Sequence, residues 1–301
     1  MHRCPLPEGP LTDLDTASAT PATAAETTAE TTGGTTDGTV TAGLPLRRAA
    51  ATVRGAGAEA AALAHHLVRY PTGIPPEPRP RPCPPDLGAD RPARGPVLLL
   101  HGLADNRAVF RPLRRELHRH GWTHLHALNY SPLIRDVRAA AALLARHVAW
   151  AAEAHPGGPV TLVGHSLGGL ICRYYVQRLG GDGPVRTVVT LGTPHAGTTA
   201  ALLPTPFPII RQLRPGSELL TELRLPAPRC RARFTVLRGE LDEVVLPGRS
   251  AWLDHPDLRA DNLLIPGAGH IGLPAHPLAV EAVRRALEAQ DGAGVTERQA
   301  S

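Results

Sequence analysis

The sequence contains no lysine, and arginine alone supplies its 32 basic residues. That uniformity reads as a GC-rich coding bias before it reads as chemistry. Aromatic residues make up only 3% of the chain, so aliphatic side chains must fill the interior. No run of about 18 apolar residues is present, which excludes a transmembrane helix on the sequence pattern. The opening stretch, MHRCPLPEGP, lacks the apolar core of about 7–15 residues that a secretory signal needs. Read from this start the expected location is cytoplasmic, and only a different start would bring in secretion. Cysteine is scarce, at Cys4, Cys83, Cys172 and Cys230, and none forms a CxxC pair. Zinc ligation is therefore not expected. Cys172 reads as a small buried hydrophobe. Cys83 and Cys230 lie in proline-rich loops; an oxidising compartment would allow them to pair, whereas a cytoplasm keeps them as thiols.

What is present divides unevenly. In residues 1–45 Arg3 stands against Glu8, Asp13, Asp15, Glu26, Glu30 and Asp37, a balance of −5. With +5 for the whole chain, the remainder carries +10. A basic body attracts anions, but the arginines are scattered beside Asp and Glu along helix-like segments. No basic run interleaves with aromatics, so nucleic acid is not an expected partner.

Residues 1–45 are low-complexity Thr, Ala, Glu and Gly with no apolar period, and the composition predicts disorder. Residues 46–93 read as an alanine-rich helical stretch followed by a proline-dense connector, which excludes helix and central strand alike. From residue 94 to 290 short apolar runs alternate with amphipathic segments. This texture predicts an α/β domain with a mostly parallel sheet and helices on both faces. Strands are expected near 96–102, 123–130, 159–166, 185–194, 231–239 and 261–270. In the helix predicted over 134–155, Val137, Ala140, Ala141, Leu144, Val148 and Ala151 share one face. A closing helix is expected over 277–290, with 291–301 as a C-terminal tail. Residues 195–230 extend a loop and read as a lid-like insertion, with Phe207 and Ile210 as candidate substrate-binding side chains.

One stretch, VTLVGHSLGG (160–169), sets Ser166 between two glycines where a buried strand turns directly into a helix. Chance matches to Gly-x-Ser-x-Gly are expected about 0.06 times in a chain of this composition, before the strand and helix are required. The context is that of a nucleophile elbow. There Gly164 and Gly168 have a steric task, because a Cβ at either would collide across the turn.

A serine hydroxyl needs a base to take its proton. On a sheet of this kind the order is serine, acid, histidine. The acid falls in VLRGELDEVVLP (236–247), where Glu240, Asp242 and Glu243 compete. Asp242, just before the anchoring Val244 and Val245, is favoured. His270 follows the last strand in a glycine-rich loop, with His255 and His276 as weaker rivals. His165 adjoins the serine, but its side chain is expected to leave the elbow in the opposite direction. The oxyanion hole is expected from the backbone N–H groups of Leu167, at the helix N-terminus, and Leu103, after PVLLLHG.

Five pieces, VLLLHGLADN, VGHSLGGL, LGTPHAGT, GELDEVVLP and GAGHIGLP, occur in family order, and the chain resembles the bacterial lipase/esterase branch of the α/β-hydrolase superfamily over about residues 94–290. The resemblance implies a cofactor-free, metal-free serine hydrolase of small-molecule or lipid carboxylic esters, with Ser166, Asp242 and His270 as its triad. An acyltransferase or thioesterase would use the same three residues on another acceptor. A binding module without activity is the reading from another class, and the intact set of motif residues argues against it.

Overall fold

A computed structural model describes residues 70–74, 94–131, 134–155 and 158–299, together with positions 64 and 68; side chains are described as far as residue 290. The segment 1–45, Cys4, Cys83 and most of the 46–93 stretch lie outside the described residues.

Six strands form one sheet: β1 (Val97–Leu100), β2 (Leu125–Leu128), β3 (Val160–His165), β4 (Val185–Leu191), β5 (Arg233–Gly239) and β6 (Arg259–Ile265). Their order across the sheet is β2-β1-β3-β4-β5-β6, and every neighbouring pair is parallel. The sheet is helix-covered on both faces, so its central strands are apolar in near-continuous runs. Alternation along each strand then sorts the side chains. Leu98, Leu100, Val160, Leu162, Val188, Phe234 and Val236 join one core cluster, while Val97, Leu99, Val163, Val189, Leu191 and Leu237 join the other.

The first cluster is covered by α2 (Val137–Ala154) and α3 (Leu167–Arg178), the second by α1 (Arg111–Arg119) and α6 (Pro277–Gln299). α2 buries the six residues expected of it and is capped by Asp136, whose side chain accepts from Arg138 N–H. Pro at the second position of α1 fixes the chain for helix entry, and its buried stripe is Leu113 and Leu117. α6 continues to Gln299 instead of stopping near residue 290, so the expected tail is mostly helix. The 195–230 insertion folds as a 3-10 turn (Thr199–Leu202) and two short helices, α4 (Pro208–Arg211) and α5 (Glu218–Glu222). Ser217 caps α5 through Leu220 N–H. Cys172 and Cys230 are buried free thiols.

Parallel strands direct all their C-terminal ends to one edge. The loops after β1, β3, β4, β5 and β6 meet there, which is where open α/β sheets hold their ligands.

Candidate active site

The turn from β3 into α3 is strained at the serine. Ser166 has φ 51° and ψ −119°, a left-handed conformation that a side chain adopts only when its surroundings impose it. Those surroundings are visible on every side. Ser166 N–H donates to Leu191 O at 2.8 Å, and its carbonyl accepts from Gly169 N–H at 3.0 Å and Thr193 Oγ1 at 3.1 Å. A Cβ on Gly164 would lie 2.5 Å from the Gly169 backbone, and one on Gly168 would strike the carbonyl oxygens of Leu100 and His101. Both glycines are therefore required by backbone, which cannot step aside.

The loop after β1 runs against the same corner. A Cβ on Gly102 would come within 3.2 Å of Ser166 Cβ, so the neighbouring Leu103 lies beside the elbow. The loop is held from below by His101. Its ring stacks on Tyr130 at 4.2 Å, Tyr130 Oη donates to His101 O at 2.6 Å, and His101 Nδ1 bonds Gly102 O at 2.8 Å. Ala104 takes φ 54°, a second strained non-glycine position at this edge.

Asp242 and His270 meet from different loops. His270 Nδ1 lies 2.8 Å from Asp242 Oδ2, and both residues are buried. The other carboxylate oxygen, Oδ1, accepts from Val244 and Val245 N–H, each at 2.9 Å. Burial by itself would raise the Asp242 pKa. The hydrogen bond and charge of His270, with the two backbone donors, outweigh it and hold the carboxyl below its ordinary range. Asp242 thus stays an anion that fixes one face of the imidazole. Of its rivals, Glu240 is exposed and accepts from Gly267 N–H at 3.0 Å, and Glu243 is exposed. His255 sits elsewhere, 3.4 Å from Gln177 and 3.2 Å from Leu225 O.

Two residues that the sequence pattern did not single out join these pieces. Gly192, after β4, has φ 55°, and a Cβ there would lie 3.1 Å from His270 Nδ1 and 3.2 Å from Asp242 Oδ2. Thr193 follows and bonds the serine carbonyl. The signal was a glycine at a strand's C-terminal end, in LGTP. The expectation that His165 turns away from the site is corrected. Its Nε2 lies 3.1 Å from His270 O, its ring centre is 5.0 Å from that of His270, and its Nδ1 is 3.9 Å from Asp105 Oδ2. Burial, then the nearby His270, pushes the His165 imidazole down to about 3. It is neutral, and an N–H at Nε2 donates to the His270 carbonyl. A backbone acceptor was available there, which strand alternation alone does not reveal.

Of the insertion's candidates, Phe207 is 52% exposed and Ile210 packs half-buried against the first core cluster. The insertion is tied to the acid loop, since Thr198 Oγ1 donates to Val244 O at 2.6 Å and Thr199 N–H to Leu246 O at 2.9 Å.

Comparison with known proteins agrees with this architecture. Residues 95–223 match a family model described as alpha/beta hydrolase fold. The structure is similar to the mature form of a Bacillus licheniformis lipase, at 20% identity and TM-score 0.56, covering 71% of this chain and 96% of that one. It is also similar to Aspergillus fumigatus lipase B, at 18% identity and TM-score 0.58, covering 69% and 55%. A Listeria innocua gene product matches at 16% identity and TM-score 0.52, over 65% and 94%. The protein has the α/β-hydrolase fold.

Proposed function

We propose that the protein is a carboxylic ester hydrolase working through an acyl-enzyme. The observation that carries this reading is the buried His270–Asp242 pair at 2.8 Å beside the strained turn of Ser166. The likeness to lipases supports it as a matter of fold.

In this reading Ser166 Oγ attacks the ester carbonyl while His270 Nε2 takes its proton. The C=O π pair moves to oxygen, and the oxyanion is met by the N–H groups of Leu103 and Leu167. Collapse breaks the bond to the alkoxy group, which leaves with the proton from His270. Water, deprotonated by the same imidazole, then attacks the acyl-serine, and Ser166 recovers its proton as the acid departs. Asp242 holds the imidazole in the tautomer with Nδ1–H and stabilises the imidazolium. Each oxyanion donor of this type lowers a barrier by roughly 2.7–4 kcal/mol. Phe207 and Ile210 on the insertion form an apolar wall for the acyl chain.

The test is a p-nitrophenyl ester series of increasing chain length, run on wild type, Ser166→Ala and the Phe207→Ala/Ile210→Ala pair. Hydrolysis is expected to vanish with Ser166→Ala, and the pair is expected to shift chain-length preference. Full turnover by Ser166→Ala contradicts the mechanism, and an unchanged preference removes the apolar wall.

A further inference from the structure

The short segment 70–74 lies ahead of the matched residues 95–223, yet it is built into the loop beside Ser166. It forms a 3-10 turn (Tyr70–Gly73), and two asparagines reach it. Asn106, in the loop after β1, donates from Nδ2 to Tyr70 O at 2.8 Å. Asn129, the residue after β2, donates from Nδ2 to Gly73 O at 2.7 Å. The Arg111 guanidinium adds a bond to Thr72 Oγ1 at 3.2 Å. Gly73 is buried, and a Cβ there would strike Asn106 Oδ1, so the turn and the loop meet with no room for a side chain between them.

Each amide is oriented by partners on both sides. Asn106 Oδ1 accepts from Ala108 N–H at 2.9 Å, capping the 3-10 turn Arg107–Phe110 that leads into α1. Asn129 Oδ1 accepts from Arg107 N–H at 2.9 Å. In both, the oxygen meets a donor and the nitrogen meets a carbonyl, so neither amide can be reversed without losing both bonds. The loop from His101 to Asn106 is thus pinned at two ends. His101 against Tyr130 holds the first, and the asparagines with the 70–74 turn hold the second. Between the pins lie Leu103 and Ala104, the latter at φ 54°. A non-glycine residue keeps that conformation only where its surroundings over-determine it.

We propose that the Tyr70–Gly73 turn, gripped by Asn106 and Asn129, positions the Leu103 N–H for the oxyanion. Asn106 and Asn129 are then positioning residues, acting through the loop and not on the ester. The inference rests on the ester-hydrolase reading above. An oxyanion donor helps only if its peptide plane is fixed before charge develops. A displacement of about 1 Å at a reacting centre costs roughly 10²-fold in rate. Pinned at His101 alone, the loop would leave the Leu103 peptide free to rotate. The 70–74 turn supplies the second pin, from a segment that precedes every strand of the sheet.

The test exchanges amide for carboxylate, one position at a time, in the full chain. Asn129→Asp and Asn106→Asp keep the oxygen that accepts from Arg107 or Ala108 and remove the donor to Gly73 O or Tyr70 O. Asn262→Asp is the control. On β6, at the opposite edge of the sheet from β2, Asn262 accepts from Leu253 N–H at 3.0 Å and donates to Leu253 O at 3.2 Å. Three readouts are compared: p-nitrophenyl ester kinetics, affinity for an alkyl trifluoromethyl ketone, and hydrogen exchange of the peptide 101–110. Ser166 Oγ adds to the ketone carbonyl as its proton passes to His270, and the adduct carries the O⁻ that the hole must hold. Each of the two variants is expected to lower kcat about ten-fold with KM little changed, and to weaken the ketone by about the same factor. Exchange over 101–110 is expected to be faster in both. The control is expected to match wild type in all three readouts, whatever its melting temperature. Should Asn106→Asp, at a buried position, fail to fold, the half-buried Asn129→Asp decides the matter. Wild-type kcat in Asn129→Asp, unchanged exchange over 101–110, or an equal loss of kcat in the control overturns the proposal. A wild type without ester turnover removes the ester-hydrolase reading and this proposal together, whereas an active wild type matched by both variants removes this proposal alone.

Discussion

At the scale of single residues, the site depends on where side chains are forbidden as much as on where they are present. A methyl at Gly164 would meet the Gly169 backbone at 2.5 Å. Relief would require the β3–α3 turn to open, so Gly164→Ala is expected to lose at least about one hundred-fold in the rate of Ser166 phosphonylation and about 1–3 kcal/mol of stability. Stopped probe-labelling assays and chemical melts read the two effects separately. His165 acts through another residue. Its ring holds the His270 backbone by one hydrogen bond, a type with a net value of about 0.5–1.5 kcal/mol. His165→Leu is therefore expected to lower kcat by about ten-fold with little change in KM, and His165→Gln, which keeps an N–H donor, to recover part of it. Equal kcat in the Leu variant and wild type would remove the positioning role. The sharp turn at Ser166 and the loops that carry Asp242 and His270 were legible in the sequence because chain order and flanking strands single them out. Gly192 and the His165 contact were not, since both arise from loops distant in sequence that come together only at the sheet edge.

At the scale of elements, apolar period carried most of the information. The buried face of α2 was readable residue by residue because its helix is long and its stripe is regular. The strands were readable as apolar runs, while their ends were not. β1, expected over 96–102, spans Val97–Leu100. Its flanking residues bend away to build the loop beside Ser166. β6 begins at Arg259, earlier than its apolar residues indicate, because an edge strand pairs on one side only and is largely exposed. α6 runs past the expected residue 290 to Gln299. Leu144 tests the packing of α2. It is 1% exposed within the first core cluster, and Leu144→Ala is expected to cost about 2–5 kcal/mol in denaturant unfolding. A loss below about 1 kcal/mol would mean that α2 is not packed on the sheet as described.

At the scale of the whole molecule, histidine burial sets a pH dependence. His165 and His126 are buried, and desolvation pushes their imidazoles down to about 3 and about 4 from an ordinary 6.5. Between those values and 6.5 the unfolded chain binds more protons than the folded one, so stability rises with pH through that window. Acidification from pH 7 to 4 is expected to lower the melting temperature steadily, with a shallower slope in His126→Phe. Asp242, held below its ordinary range, adds a loss of stability at still lower pH, as its carboxylate is protonated. A melting temperature flat between pH 7 and 4 would contradict this assignment of buried neutral imidazoles.

The central claim is that the strained turn presents one reactive alcohol to the buried His270–Asp242 pair. The most direct measurement is peptide mass spectrometry of the full chain after treatment with a fluorophosphonate. The account predicts a single adduct, on Ser166, formed rapidly in wild type and at least about one hundred-fold more slowly in His270→Ala, consistent with loss of the base. An adduct on Ser131, Ser217 or Ser250 instead, or equal labelling with His270 removed, would contradict it.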